Sequence, residues 1–401
     1  MPLMPFEPIS DIDPNAQLPK LAIVTTEIGI PSEIWMLRQA HALRAFDRSL
    51  WGWSRHADAS DQPLREVRIP GGFPTPKGIL ARGLRKIGHP AALRMTAAER
   101  AAVQGVLAKE RPDIVLAHFG WNAILMAQVL PKDVPLVVHV HGRDASAMLE
   151  ERSYRQALAQ TLERADALVA VGQHQIKRLR PLGLPDRVAL IPCGAPLDLF
   201  AAQELPTQPD IGDHQPIRFA TLGRLSHEKG MIETLSAFET CLRKLGEGEL
   251  VIIGFGPLQD TLQREIAQRG MGDHVRLTGR LSPPEIAQEL AQAHVYLQHS
   301  QIYNGWTEGF GVTLTEAGAV GLPLLASASG GLIDQIEEGE NGFLFPPGDV
   351  AAQAELMLKL ARDAALRRSL GEGARRLAAR FDAAHMSVQL EHLLQEVLAQ
   401  H

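Results

Sequence analysis

Two cysteines in 401 residues, Cys193 and Cys241, are too few for a disulfide framework and are not spaced as a metal-ligand pair. That usage fits a reducing compartment, and the expected location is cytoplasmic. No run of about 18 apolar residues occurs, so no spanning helix is expected and membrane contact is limited to the periphery, at the inner face. The opening stretch M-P-L-M-P-F-E-P-I-S-D-I-D-P lacks the charged-then-apolar layout of a secretory signal and reads as a loose tail over 1–19. A formal charge of −6 without a basic low-complexity arm gives no strong field for nucleic acid, which drops out as a partner. Tandem repeats of short period are also lacking.

What is there is an alternation of short β-rich runs and helical periods. The first half carries L-A-I-V-T-T, then S-E-I-W-M-L-R-Q-A-H-A-L, then D-I-V-L-A-H, P-L-V-V-H-V and A-L-V-A-V. Such runs predict parallel sheets covered on both faces by helices. The rhythm breaks in a proline-rich stretch after Ile191, and a second series starts at I-R-F-A-T-L-G. With 45% apolar residues the chain is long enough for two cores. The expectation is an α/β protein of two doubly wound, Rossmann-like domains, 20–195 and 216–382, joined by a linker at 196–215 and facing each other across a cleft. Ligands then bind at the carboxyl ends of the strands.

The densest cluster of chemistry is E-G-F-G-V-T-L-T-E, with Glu308 in a loop and Glu316 about a turn inside a helix. Glycines at 309 and 311 allow backbone amides close to a ligand. A helix N-terminus offers free donors to phosphates, and two carboxylates can accept from sugar and ribose hydroxyls. The competing reading is a plain loop-to-helix turn with an acid placed for dipole reasons.

These residues, with L-P-L-L-A-S, G-G-L-I-D-Q-I and N-G-F-L-F-P-P-G-D after them, resemble the donor site of retaining family 4 glycosyltransferases. Further matches in the same order are H-V-H-G-R-D at 139–144, I-P-C-G at 191–194, G-R-L-S-H-E-K-G at 223–230, I-I-G-F-G-P-L at 252–258 and V-R-L-T-G-R-L at 275–281. The resemblance runs from Lys20 onward and is nearest in flavour to exopolysaccharide and lipopolysaccharide members. It implies the GT-B fold and a last helix, within 383–401, that returns to the first domain. It also implies transfer of a hexosyl unit from a UDP- or GDP-sugar to a glycan or lipid-linked acceptor, with no cofactor and no metal.

The resemblance also distributes roles. Arg224 and Lys229 would neutralise the departing diphosphate; alone, they read as solvated surface charges. Glu308 would hold the sugar, Glu316 the ribose, and the amides of Gly309, Phe310, Gly311, Val312 and Thr313 the sugar and phosphate. His141, in H-G-x-D, would face the reacting carbon, with a core histidine as the alternative. Gly29 lies where the family brings backbone up to the diphosphate, although only one glycine stands there. Gly254, Arg280 and Leu281 belong near the nucleobase. Ser32, Glu33 and Asp144 are acceptor-side candidates, Ser32 being equally readable as a helix N-cap. Trp306 is a candidate for stacking on a sugar.

Two patterns point elsewhere. H-x-H at 139–141 invites a metal, but no further carboxylate or cysteine cluster completes a ligand set. D-I-D at 11–13 lies in the tail and is treated as accidental. Residues 77–100 hold six cations (Lys77, Arg82, Arg85, Lys86, Arg94 and Arg100) against Glu99 alone, a segment fit for an anionic membrane surface or for a solvated helix face. The rival functions are a nucleotide-sugar epimerase of the same fold and a non-catalytic binding partner.

Overall fold

The parallel pairing expected from the β-rich runs is realised in two sheets. The structure is a computed structural model and describes residues 17–30, 33–57, 59, 63–70, 93–202 and 216–401. Ser32, the D-I-D run and the cations Lys77, Arg82, Arg85 and Lys86 lie outside those residues.

The first domain contains β1 (Lys20–Ile28), α1 (Ile34–Ala42), β2 (Asp47–Arg55), β3 (Arg65–Arg68), α2 (Ala97–Glu110), β4 (Ile114–His118), α3 (Gly120–Met126) and β5 (Leu136–Val140). It continues with α4 (Arg152–Arg164), β6 (Ala167–Ala170), α5 (Gln173–Leu179) and β7 (Val188–Leu190). After α6 (Leu197–Ala201), the second domain runs through β8 (Arg218–Leu222), α7 (Met231–Leu245), β9 (Glu249–Ile253), α8 (Gln259–Gln268), β10 (Val275–Gly279), α9 (Pro283–Ala291) and β11 (Val295–Gln298). It ends with α10 (Val312–Val320), β12 (Leu324–Ser327), β13 (Gly342–Phe345), α11 (Val350–Arg362) and α12 (Ala364–Ala378), before α13 (Ala383–Leu398).

Strand order is β3-β2-β1-β4-β5-β6-β7 in one sheet and β10-β9-β8-β11-β12-β13 in the other, and the strand pairs are parallel. Both orders reverse direction beside their first strand, at β1/β4 and at β8/β11. Those reversals open a crevice at the carboxyl ends, where the loops of neighbouring strands part in opposite directions. The central strands are buried on both faces, which is why L-V-V-H-V and L-V-I-I read as nearly continuous apolar runs.

Helix starts follow local chemistry. Thr96 and Glu99 form a reciprocal capping box on α2, so the only acid of the basic 77–100 segment is engaged at the helix start, and Arg100 sits within the first turn. Ser282 and Glu285 do the same for α9, with Pro283 at its first position.

The chain crosses between domains twice. The described part of the proline-rich connection is the helix α6, whose Phe200 is buried against Leu290, Leu314 and Leu322 of the second domain. At the other end, Ala195 and Ala383 exchange backbone bonds with Phe381 and Ala195, both at 2.9 Å. From there α13 buries Met386, Leu390, Leu394 and Val397 on the first sheet's core beside Leu21, Ile23 and Leu116. Its Glu391 accepts from the Ala45 amide at 2.6 Å. Leu390 is fully buried there, so Leu390→Ala should destabilise the first domain by about 2–5 kcal/mol in urea titrations. A loss below about 1 kcal/mol would show that α13 is not part of that core.

Candidate active site

Loop 299–311 leaves β11 and delivers Glu308 to the crevice. The Glu308 side chain is nearly buried, and one of its oxygens, Oε2, collects three donors: Lys229 Nζ at 2.5 Å, Ser300 Oγ at 3.0 Å and Gln298 Nε2 at 3.3 Å. Lys229 comes from the loop after β8 and lies 5.3 Å from the centroid of Trp306. Two charges predicted for different parts of a ligand are thus paired with each other. Gln298 also accepts from Thr313 Oγ1 at 3.3 Å, tying β11 to the start of α10.

Gly311 takes a left-handed conformation, φ 85°, at the N-cap of α10, which a side chain would strain. The helix then begins at Val312, and its first amides have no intrahelical carbonyl to meet. Gly309 is required for a different reason: a Cβ built on it would stand 1.8 Å from the His141 carbonyl oxygen of the first domain. The two lobes touch here, backbone against backbone. Beside that contact the Gln173 amide donates to Asp334 Oδ2 at 2.8 Å, and Phe310 packs with Val171 and Cys193.

Across the crevice, His118, His139 and His141 line one face of β4 and β5. Nδ1 of His118 lies 3.0 Å from Nε2 of His141, and His141 Nδ1 lies 3.8 Å from Cys193 Sγ. The Trp35 ring covers His141 at 4.4 Å between centroids. Burial pushes His118 down to about 3 and holds His139 and His141 well below the ordinary imidazole range, so all three are neutral near pH 7. A third imidazole, that of His118, thus stands beside the H-x-H pair. It comes from the neighbouring strand.

Asp144 is corrected. It is fully buried, and its carboxylate accepts from the amides of Gly142 at 2.9 Å, Gly120 at 3.0 Å and His141 at 3.1 Å. It shapes the loop that carries His141 and offers nothing to an acceptor. Gln175 completes that loop by donating to the His141 carbonyl at 2.7 Å.

The remaining candidates are spread along the crevice. Arg224 is exposed in the loop after β8. Arg280 is exposed too, with its guanidinium 3.9 Å from the centroid of Phe255, a half-exposed ring between Gly254 and Gly256. The Gly254 amide is occupied by the Gly279 carbonyl at 3.1 Å, and Leu281 is half-buried beyond it. Gly29 ends β1 opposite Ala59. Glu316 sits in α10 with its carboxyl pushed up to about 7 by burial, opposed by the Arg38 guanidinium of α1.

Arg38 was not singled out by the sequence, nor were His118, Gln298, Ser300 or His174. The His174 ring nitrogens are buried without a hydrogen-bond partner among the described residues, and burial pushes the ring down to about 4 within the field of Glu308. Only His118 left a signal, as a third histidine closing a β-rich run.

Glu33 starts α1 with its carboxyl raised from 4.5 to about 7, chiefly by burial and then by Glu27. A raised carboxyl binds its proton more tightly in the folded state, so its contribution to stability is present below about pH 4.5 and is lost as pH rises through about 7. Glu33→Gln should therefore raise the melting temperature at pH 8 and leave it unchanged near pH 4. An effect that does not vary with pH would contradict the assigned burial.

The family model described as Glycosyltransferase Family 4 matches residues 40–199, and the one described as Glycosyl transferases group 1 matches residues 207–377. The amylovoran biosynthesis glycosyltransferase AmsK of Erwinia amylovora is 30% identical over 275 residues, and the alignment spans 64% of either chain. Sucrose-phosphate synthase from Thermosynechococcus elongatus superimposes with a TM-score of 0.74 at 22% identity, covering 96% of this chain and 100% of that one. Anabaena HepE in complex with UDP gives 0.72 at 19% identity, covering 94% and 100%. With one model on each lobe and the two-sheet architecture shared across nearly its whole length, the chain belongs to the group 1 and family 4 glycosyltransferases of the GT-B fold.

Proposed function

We propose that this chain is a retaining glycosyltransferase that moves a hexosyl unit from a nucleoside diphosphate sugar to an acceptor hydroxyl in polysaccharide or glycolipid assembly. The observation that carries the reading is the Lys229–Glu308 pair beside the open N-terminus of α10, set against the His141 loop of the other lobe. An anionic leaving group fits that arrangement. Lys229, Arg224 and the first amides of α10 together supply the positive field that a breaking sugar–phosphate bond needs, without recourse to a metal. AmsK, named for amylovoran biosynthesis, supports the polysaccharide setting, and the UDP in HepE supports a nucleotide donor.

In this mechanism Glu308 accepts from sugar hydroxyls while Lys229 turns to the diphosphate. Glu316 takes the ribose hydroxyls, and Arg280 with Phe255 borders the base. His141 meets the sugar from the first domain as a neutral hydrogen-bonding group. The bond from the anomeric carbon to phosphate oxygen breaks as the acceptor oxygen attacks on the same face, and the acceptor proton passes to the departing phosphate. Retention follows without a protein nucleophile.

An acceptor carrying a lipid phosphate has a matching surface. A groove of about 1140 Å³ on the first domain is lined by Arg94, Arg100, Lys132 and Arg164 over Leu93, Ile124 and Leu130, with no acidic residue among its described lining.

A panel of UDP- and GDP-sugars, read first by thermal shift and then by turnover, identifies the donor. Glu308→Gln should then lower kcat by about 100-fold or more while nucleotide affinity stays within a few-fold, and NMR of the product should show the donor's anomeric configuration. Undiminished turnover removes Glu308 from the chemistry, and an inverted product removes the same-face route.

A further inference from the structure

We propose that His118, His139 and His141 form a binding site for one divalent transition-metal ion of the zinc class. The placement follows from the sheet. His118 and His139 are register partners on parallel strands, so their side chains leave the same face, and His141 follows two residues on. One ring nitrogen from each lies within 4.8 Å of the others, and the nearest pair, on His118 and His141, is 3.0 Å apart. Three imidazoles around zinc at about 2.0–2.1 Å hold their nitrogens about 3.3 Å apart, a spacing between the 3.0 Å and the 4.8 Å limits of this set.

The ligand chemistry also fits. All three side chains are imidazoles at most 8% exposed, and imidazole is the commonest side-chain ligand for ions of this class. Three imidazoles without a carboxylate select zinc-like ions over magnesium or calcium.

Occupancy has a consequence that rests on the function proposed above. An ion held by His141 removes that ring from the sugar, so the filled site is an inhibited state. The ion is not a cofactor of transfer.

The untagged full-length chain is titrated with Co2+, and with Zn2+ against a chromophoric chelator, alongside His118→Gln and His139→Gln. Each variant is first checked for a wild-type unfolding transition without metal. The expected result is one ion per chain, the absorption bands of four- or five-coordinate Co2+, and affinity lower by at least about tenfold in both variants. Metal should raise the melting temperature of the wild type alone. Equal affinity in wild type and variants, or a six-coordinate Co2+ spectrum, overturns the site. If a variant does not fold, the wild-type Co2+ spectrum decides. Inhibition is read separately, as loss of nucleotide-sugar turnover with Zn2+ and recovery with chelator. A protein that binds Co2+ in this way but turns over no nucleotide sugar contradicts the proposed transfer and leaves the metal site standing.

Discussion

The site depends on one close approach. The His141 carbonyl and the Gly309 backbone meet with no room for a side chain between them, and this contact brings the carboxyl ends of two separate sheets to a common crevice. Around it the lobes share a small apolar seam of Val171, Cys193 and Phe310, with Trp35, Val312 and Phe381 at its border, and the Gln173–Asp334 hydrogen bond. The seam is small beside the domain cores, so the lobes are held in register without being fused.

Charge compensation sets the chemistry on top of that geometry. The almost buried Glu308 carboxylate gathers an ammonium, a hydroxyl and an amide on one oxygen, so its polar atoms are not left without partners. An isolated buried ion pair adds little net stability, because desolvation offsets the attraction between its members. In the proposed reaction, a ligand with a diphosphate and hydroxyls would part Lys229 from Glu308 and give each its own group to hold. Glu316 and Arg38 show the same logic across the crevice: burial makes the carboxyl harder to ionise, and the opposing guanidinium works against that.

The architecture was legible because buried parallel strands announce themselves as apolar runs, and because E-G-F-G-V-T-L-T-E carries a loop, a left-handed glycine and a helix start in its own letters. Side-chain direction was not legible. Asp144 sits beside His141 in sequence and would serve an acceptor equally well on paper, yet the turn after β5 rotates it inward onto three amides. His118 joins His139 only through the β4/β5 register, and nothing local marks that pairing. Arg38 comes within the electrostatic reach of Glu316 through the docking of two domains, a relation that no window along the chain contains. The proline-rich stretch 196–215 read as a linker by composition, and its described part, 196–202, carries a helix whose Phe200 is buried in the second core.

Gly309→Ala tests the central claim most directly, since one methyl group cannot coexist with the His141 carbonyl in its present place. With the donor identified, transfer should fall by about 100-fold or more, as for an angstrom-scale misplacement of reacting groups, while affinity for the free nucleotide diphosphate should change by no more than a few-fold. Transfer at the wild-type rate by Gly309→Ala would show that the approach of the two loops does not govern the site.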